Sequence, residues 1–296
     1  MIHDDDLSLL ELLSKLSLEF IQDRISFVRQ ADLEEIEIDD LKTALAEILK
    51  AYGTYVKSIR QGEPVFRVMK HQPNEKLFEN VSRIYPDPTF LTKLGRANRK
   101  HQPVYYFCGE PGIAFHEVKI QPGEVATLLE CRPRNDESPR VVPIGIDQLL
   151  SKHGVKAGGD FPENSVRIQH LLGNNADALK KYWIIDEFLT NQFLKDVPNG
   201  QEHEYKISVA IAEFLFKFSA EAASIDGIAY PSLAGAWKHA NLALVPESFH
   251  RIYQPFACAR GKLARLLPEL GLSFDVKEAV IAVGIDPDGT IRWPKA

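Results

Sequence analysis

Apolar residues at helical spacing fall into two separate blocks of this chain instead of alternating with strands, and that segregation is the tightest constraint on its fold. In the first block, residues 7–30 carry Leu9, Leu10, Leu13, Leu16, Phe20, Ile21, Ile25 and Val28 on one face, and residues 39–59 carry Leu41, Leu45, Ile48, Leu49, Tyr52 and Val56. The second block covers residues 176–197 and 203–222, with Trp183, Phe188 and Phe193 on one apolar face and Val209, Ile211 and Leu215 on the other. Short β-rich runs occupy the remainder, at 65–69, 104–107, 124–131, 141–144, 226–230, 241–245 and 251–259. Residues 260–267 read as a basic helix, and Asp286-Pro287-Asp288-Gly289 as the turn of a closing hairpin. Residues 71–93 read as a long loop with one turn of helix, and 153–165 as a glycine-rich loop. Clustered helices beside clustered strands predict an α+β fold and argue against a doubly wound sheet. The expected organisation is a helical N-terminal region at 1–60 and one domain at 61–296. That domain carries a helical insertion at about 170–222 and a C-terminal hairpin at about 279–293.

At 296 residues with 45% hydrophobic and 26% charged content, the chain is long and apolar enough to bury a sizeable core. A net charge of -6 argues against a general nucleic-acid binder, which needs an excess of cations. No apolar run approaches the roughly 20 residues that cross a bilayer. The acidic start MIHDDDLSLL lacks the basic-then-apolar pattern of a secretory signal, so a cytoplasmic protein is expected. Cys108, Cys131 and Cys258 are too far apart for a disulfide framework or a zinc knuckle, and are expected as buried thiols with no metal.

Residues 95–117, GRANRKHQPVYYFCGEPGIAFHE, concentrate the chemistry. Gly95 opens a basic turn with Arg96, Arg99, Lys100 and His101, and Pro103 closes it. The run VYYF suits a buried strand, and Gly109-Glu110-Pro111-Gly112 can start a helix whose one carboxylate after that turn is Glu117. A cationic turn, an aromatic strand and a lone acid suit a phosphate-bearing ligand with its sugar near the carboxylate. Other motifs fail. His203-Glu204-Tyr205-Lys206-Ile207 lacks the second histidine of a zinc site, and no GxGxxG, Walker or GxSxG pattern occurs. Arg96 and His101 match the R-x4-H spacing of HEPN-type ribonucleases, but that pair needs a helix and Gly95 and Pro103 bracket a turn.

Four pieces in order extend this stretch: VFRV around Arg67; GRAN then PVYY around Arg96 and Tyr106; AFHEV around Glu117; and DGIAYPS with HANLAL around Ser232 and Asn241. The set resembles the RES domain, a bacterial family named for an arginine, a glutamate and a serine, over about residues 62–266. The resemblance implies an ADP-ribosyltransferase-like fold with a cleft for NAD+, as substrate and not as a resident cofactor. RES proteins are best known as toxins of Xre–RES toxin–antitoxin pairs that deplete NAD+ by hydrolysis or phosphorolysis, and some ADP-ribosylate a protein. An antitoxin or immunity protein is thus an implied partner, and a homo-oligomer is compatible. The chain is longer than the compact toxins and carries its own helical insertion.

The resemblance assigns catalysis to Glu117, Arg67 and Ser232, and NAD+ binding to Arg67, Arg96, Tyr106, Ser232 and Asn241. The Gly-Arg-x-Asn context favours Arg96 over Arg99 as the pocket arginine. Cleavage of the nicotinamide–ribose bond develops positive charge on the sugar, which a carboxylate stabilises. Guanidinium groups match diphosphate oxygens two-pronged. Two other readings stand beside an NAD+-cleaving enzyme: a mono-ADP-ribosyltransferase acting on a protein, and a non-catalytic nucleotide-binding module.

Overall fold

In a computed structural model, the chain is described over residues 4–59, 62–135, 137–146, 167–222, 225–232, 239–267 and 273–295. The expected glycine-rich loop at 153–165 lies outside them. The fold is α+β with a large mixed sheet.

Three helices come first: α1 (Asp4–Lys15), α2 (Leu18–Gln30) and α3 (Ile38–Tyr52). The continuous apolar stripe predicted one helix across residues 7–30, but Ser17 breaks it. Its backbone is extended and its hydroxyl accepts from the Phe20 amide at 3.0 Å, capping a new helix. Ile21, Ile25 and Val28 then line the buried side of α2, and Leu41, Leu45, Ile48, Leu49 and Tyr52 that of α3.

Nine strands form one sheet: β1 (Lys57–Ser58), β2 (Val65–Lys70), β3 (Tyr105–Cys108), β4 (Val125–Pro133), β5 (Arg140–Pro143), β6 (Gly227–Pro231), β7 (Ala240–Leu244), β8 (Tyr253–Leu267) and β9 (Ser273–Ile281). Their order is β1-β5-β6-β7-β3-β2-β4-β8-β9, with β5–β6 parallel and the other pairs antiparallel. Every residue of β6 and β7 is buried, as expected for strands covered on both faces. β2 pairs with β4 along its whole length but meets β3 only at Phe66↔Cys108, so the sheet opens there. Among the described residues the remaining α-helices are α4 (Pro111–Glu117), α5 (Arg167–Leu172), α6 (Ala176–Phe193), α7 (Lys206–Ala222) and α8 (Pro246–Ile252). A small hairpin, β10 (Gly284–Ile285) with β11 (Ile291–Arg292), turns through the predicted Asp286–Gly289 segment.

Three apolar clusters organise these layers. The largest joins α1–α3 to α5–α7 and to Val142, Ile144, Ile228, Tyr230 and Ala243 of the sheet side. The expected boundary near residue 60 therefore divides the sequence but not this core. On the opposite face, Val65, Phe107, Leu129, Leu242, Leu244 and Phe249 form a second cluster, closed by Ile291. The third packs Ile113, Ala114 and Phe115 of α4 onto Val68, Cys108 and Ala126.

Candidate active site

Glu117 is the last residue of α4, which lies against both β2 and β3 where the sheet opens. Pro111 sits in the first turn of this helix, and burial of Ile113, Ala114 and Phe115 fixes which way its final carboxylate points. Glu117 Oε1 accepts from Ser232 Oγ at 2.6 Å and from Asn241 Nδ2 at 2.8 Å. Ser232 follows β6, with its amide donating to His239 O at 2.9 Å, and is fully buried. Asn241 stands on β7 opposite both Cys108 and Tyr230. A carboxylate only accepts, so the Asn241 amide nitrogen must face Glu117. The amide oxygen is then left for the Cys108 thiol, which donates to it at 3.2 Å.

Strand register defines one working face. Tyr106 and Cys108 on β3, Asn241 on β7 and Tyr230 on β6 are cross-strand neighbours on the side covered by α4 and the large helical cluster. Tyr106 Oη accepts from the Ala97 amide and donates to Asn98 Oδ1, both at 2.8 Å, so the strand grips the basic turn. Burial pushes the Tyr106 and Tyr230 phenols above their usual range despite the opposing pull of Arg96, so both stay neutral.

The two candidate turn arginines take different jobs. Arg99 forks onto Glu213 of α7 and reaches Asp39 of α3 at 2.9 Å. Arg96 instead lies 5.8 Å from the Tyr205 ring centroid and 5.9 Å from that of Tyr230, and has no hydrogen-bond or ion-pair partner among the described residues. His101 turns away with a φ of 60° and its Nδ1 2.8 Å from Pro88 O, in a non-helical turn where the ribonuclease pairing needs a helix.

Arg67 takes a place the sequence did not anticipate. Phe66 registers with Cys108, so Arg67 shares the opposite face with Val65 and Met69 of the second cluster. Its Nε donates to Ile84 O at 2.7 Å and its Nη1 to Tyr106 O at 3.0 Å, across the gap between β2 and β3. Burial pulls its pKa below the usual guanidinium value. Arg67 and Arg96 therefore do not converge to grip a diphosphate together as expected: Arg67 faces the second cluster and donates to two carbonyls, while Arg96 lies by the Tyr205 and Tyr230 rings. Arg67 braces the opening of the sheet.

Sequence reasoning did not place Tyr230, Tyr205 or Cys108 at the site. Tyr230 had a signal, since it stands two residues before Ser232 on a strand and so shares its face. Tyr205 had none, as it arrives from a 3-10 turn just before α7. A separate cleft of about 530 Å³, lined by Arg29, Asp32, Glu34, Lys195, His203 and Glu204 among others, contains none of the predicted site residues. No group of three or more metal-ligating side chains occurs among the described residues, and no described helix is long and apolar enough to cross a membrane.

Comparison with family models, with curated proteins and with solved structures returns no match to this chain.

Proposed function

We propose that the protein cleaves the nicotinamide–ribose bond of NAD+, by hydrolysis or phosphorolysis, on an ADP-ribosyltransferase-like fold of RES type. The observation that carries this reading is the state of Glu117. Both its neutral donors, Ser232 and Asn241, bind Oε1, while Oε2 has no partner among the described residues and no described cation pairs with the carboxylate. A half-buried carboxylate with one oxygen anchored by neutral donors and no cation beside it keeps its negative field for a ligand.

In the proposed reaction the bond between ribose C1′ and the nicotinamide nitrogen breaks, and its electron pair neutralises the ring nitrogen. Nicotinamide departs uncharged, so no general acid is required. Positive charge develops on the ribose, and Glu117 Oε2 opposes it more strongly in the transition state than in the ground state. Water or phosphate then adds at C1′: attacking water releases its proton to solvent, whereas an anionic phosphate oxygen forms the new bond without losing one. Arg96 holds the diphosphate, Tyr106 and Tyr230 wall the site, and Ser232 and Asn241 keep the carboxylate from rotating. The RES likeness extends the proposal to a toxin that depletes NAD+ and is restrained by an antitoxin or immunity protein.

Nicotinamide release from NAD+, measured with and without phosphate, tests the reading, and the identity of the second product separates hydrolysis from phosphorolysis. Glu117→Gln keeps the shape and an oxygen for Ser232 and Asn241 but removes the charge, and is expected to slow release roughly 100- to 1,000-fold. Wild-type protein that leaves NAD+ intact with water, phosphate and protein acceptors all present would end the proposal. Undiminished release by Glu117→Gln would remove the carboxylate from it.

A further inference from the structure

Arg96 reaches its place with no side-chain acceptor among the described residues to hold it there. The Tyr205 and Tyr230 rings flank its guanidinium, and the turn it stands on sets where its backbone lies. That turn is tightly knit: the Gly95 amide donates to Asn98 O at 3.0 Å, the Ala97 amide to Tyr106 Oη at 2.8 Å, and Asn98 Nδ2 to Arg99 O at 2.9 Å. A Cβ on Gly95 would stand 2.2 Å from Asn98 Oδ1, so there is no slack for a side chain there. The backbone from Gly95 to Arg99 thus moves as one piece.

The outward end of this piece is tied down by ions. Arg99 Nη2 lies 2.8 Å from Glu213 Oε2 and 2.9 Å from Asp39 Oδ1, and Arg99 Nε donates to Glu213 Oε1. Lys42 Nζ closes the network at 2.6 Å from Asp39 and 3.3 Å from Glu213, giving two cations and two carboxylates. Glu213 is the better buried carboxylate, with 18% of its side chain exposed against 66% for Asp39.

We propose that Glu213 and Asp39, acting through Arg99, are positioning residues that aim Arg96 at the substrate diphosphate, so that the two helical blocks form a working part of the substrate cleft. This rests on the NAD+-cleaving reading above and adds to it the origin of Arg96's geometry. A two-pronged guanidinium–carboxylate pair fixes direction as well as distance, which a lysine cannot do.

Steady-state kinetics with NAD+ test it on the full chain. Glu213→Gln and Arg99→Lys are each expected to raise KM about tenfold with kcat within about twofold of wild type, since misplacing a binding group weakens capture without touching Glu117. Arg99→Lys keeps the charge and loses only the fork, so a wild-type KM in that variant overturns the proposal. Should Glu213→Gln melt below the assay temperature, Asp39→Asn leaves the Arg99–Glu213 fork in place and is expected to raise KM about twofold to threefold. Combining Glu213→Gln with Arg96→Ala should do no further harm than Arg96→Ala alone, and multiplied effects would show that the network acts elsewhere. Wild-type protein that neither binds nor cleaves NAD+ overturns the functional reading and this proposal together. Wild-type activity with an unchanged KM in Glu213→Gln overturns this proposal alone.

Discussion

His71 follows directly after β2, with its ring stacked on Phe78 at 4.1 Å between centroids and its Nε2 2.7 Å from Thr127 Oγ1. Only 1% of its side chain is exposed. Burial pulls its pKa below the ordinary histidine value; Glu75, 3.9 Å away, opposes that shift and Arg260 reinforces it. The neutral ring is therefore favoured in the fold. As pH falls through about 6.5 the unfolded chain takes up a proton that the folded one resists. The stability this histidine allows is complete above that pH and is lost as pH drops toward the folded pKa. His71→Phe keeps the stacking and removes the titration. Its melting temperature should fall less between pH 7 and pH 5 than that of wild type, measured by circular dichroism. Comparing slopes sets aside the constant cost of leaving Thr127 without its partner, and equal slopes would show that His71 is not the group responsible. The same scale shows what was legible in the sequence at the site. Glu117, Ser232 and Asn241 stand in short motifs whose order could be read. The inverted placement of Arg67 could also have been derived, since a strand residue faces opposite to its neighbours, but only once Phe66 is known to register with Cys108.

Elements differ in how much of them the local sequence dictates. α3 and α6 were readable because four or more apolar residues recur at helical spacing and core burial rewards that face. β8 was not. Residues 260–267 include good helix formers, yet they continue a strand that began at Tyr253, paired with β4 as far as Lys262 and with β9 from Ala259 to Leu267. Strand pairing outweighs a local preference worth a few tenths of a kcal/mol per residue. β6 offers the sharpest test of packing at this level. A Cβ on Gly227 would lie 2.2 Å from Ala243 O and 3.0 Å from Ala243 C, which are main-chain atoms of the neighbouring strand and cannot swing aside. Gly227→Ala should therefore cost about 2–3 kcal/mol in chemical denaturation. The same strand leads to Ser232, so displacing it should also loosen the Ser232–Glu117 hydrogen bond. Wild-type stability in this variant would mean that β6 and β7 separate more easily than their register suggests.

Across the whole molecule, the two helical blocks that the sequence keeps more than a hundred residues apart are one layer. Tyr52, at the end of α3, places its hydroxyl 2.5 Å from Asp186 Oδ1 on α6 and 2.9 Å from Pro143 O on β5, while Asp186 Oδ1 also accepts from the Gly145 amide at 2.9 Å. Lys181 of α6 reaches back to Leu13 O at 3.3 Å. These links could not be read from sequence, because helical periodicity reports that a face is buried and not what buries it. They decide how the protein unfolds. Leu45 is fully buried in the shared cluster, and Leu45→Ala should cost about 2–4 kcal/mol. If residues 4–52 formed an independent unit, that loss would appear as an early transition, with the sheet melting at its wild-type temperature. A shared core predicts one cooperative transition shifted as a whole. Amide hydrogen exchange resolves the two: in Leu45→Ala, protection at Leu242 to Leu244 of β7 should fall together with that of α3. The same coupling carries to the site, since Asp39 on α3 and Glu213 on α7 both hold Arg99. A β7 that keeps its protection while α3 loses it would show the helical layer to be an attachment, and the turn bearing Arg96 would then need another anchor.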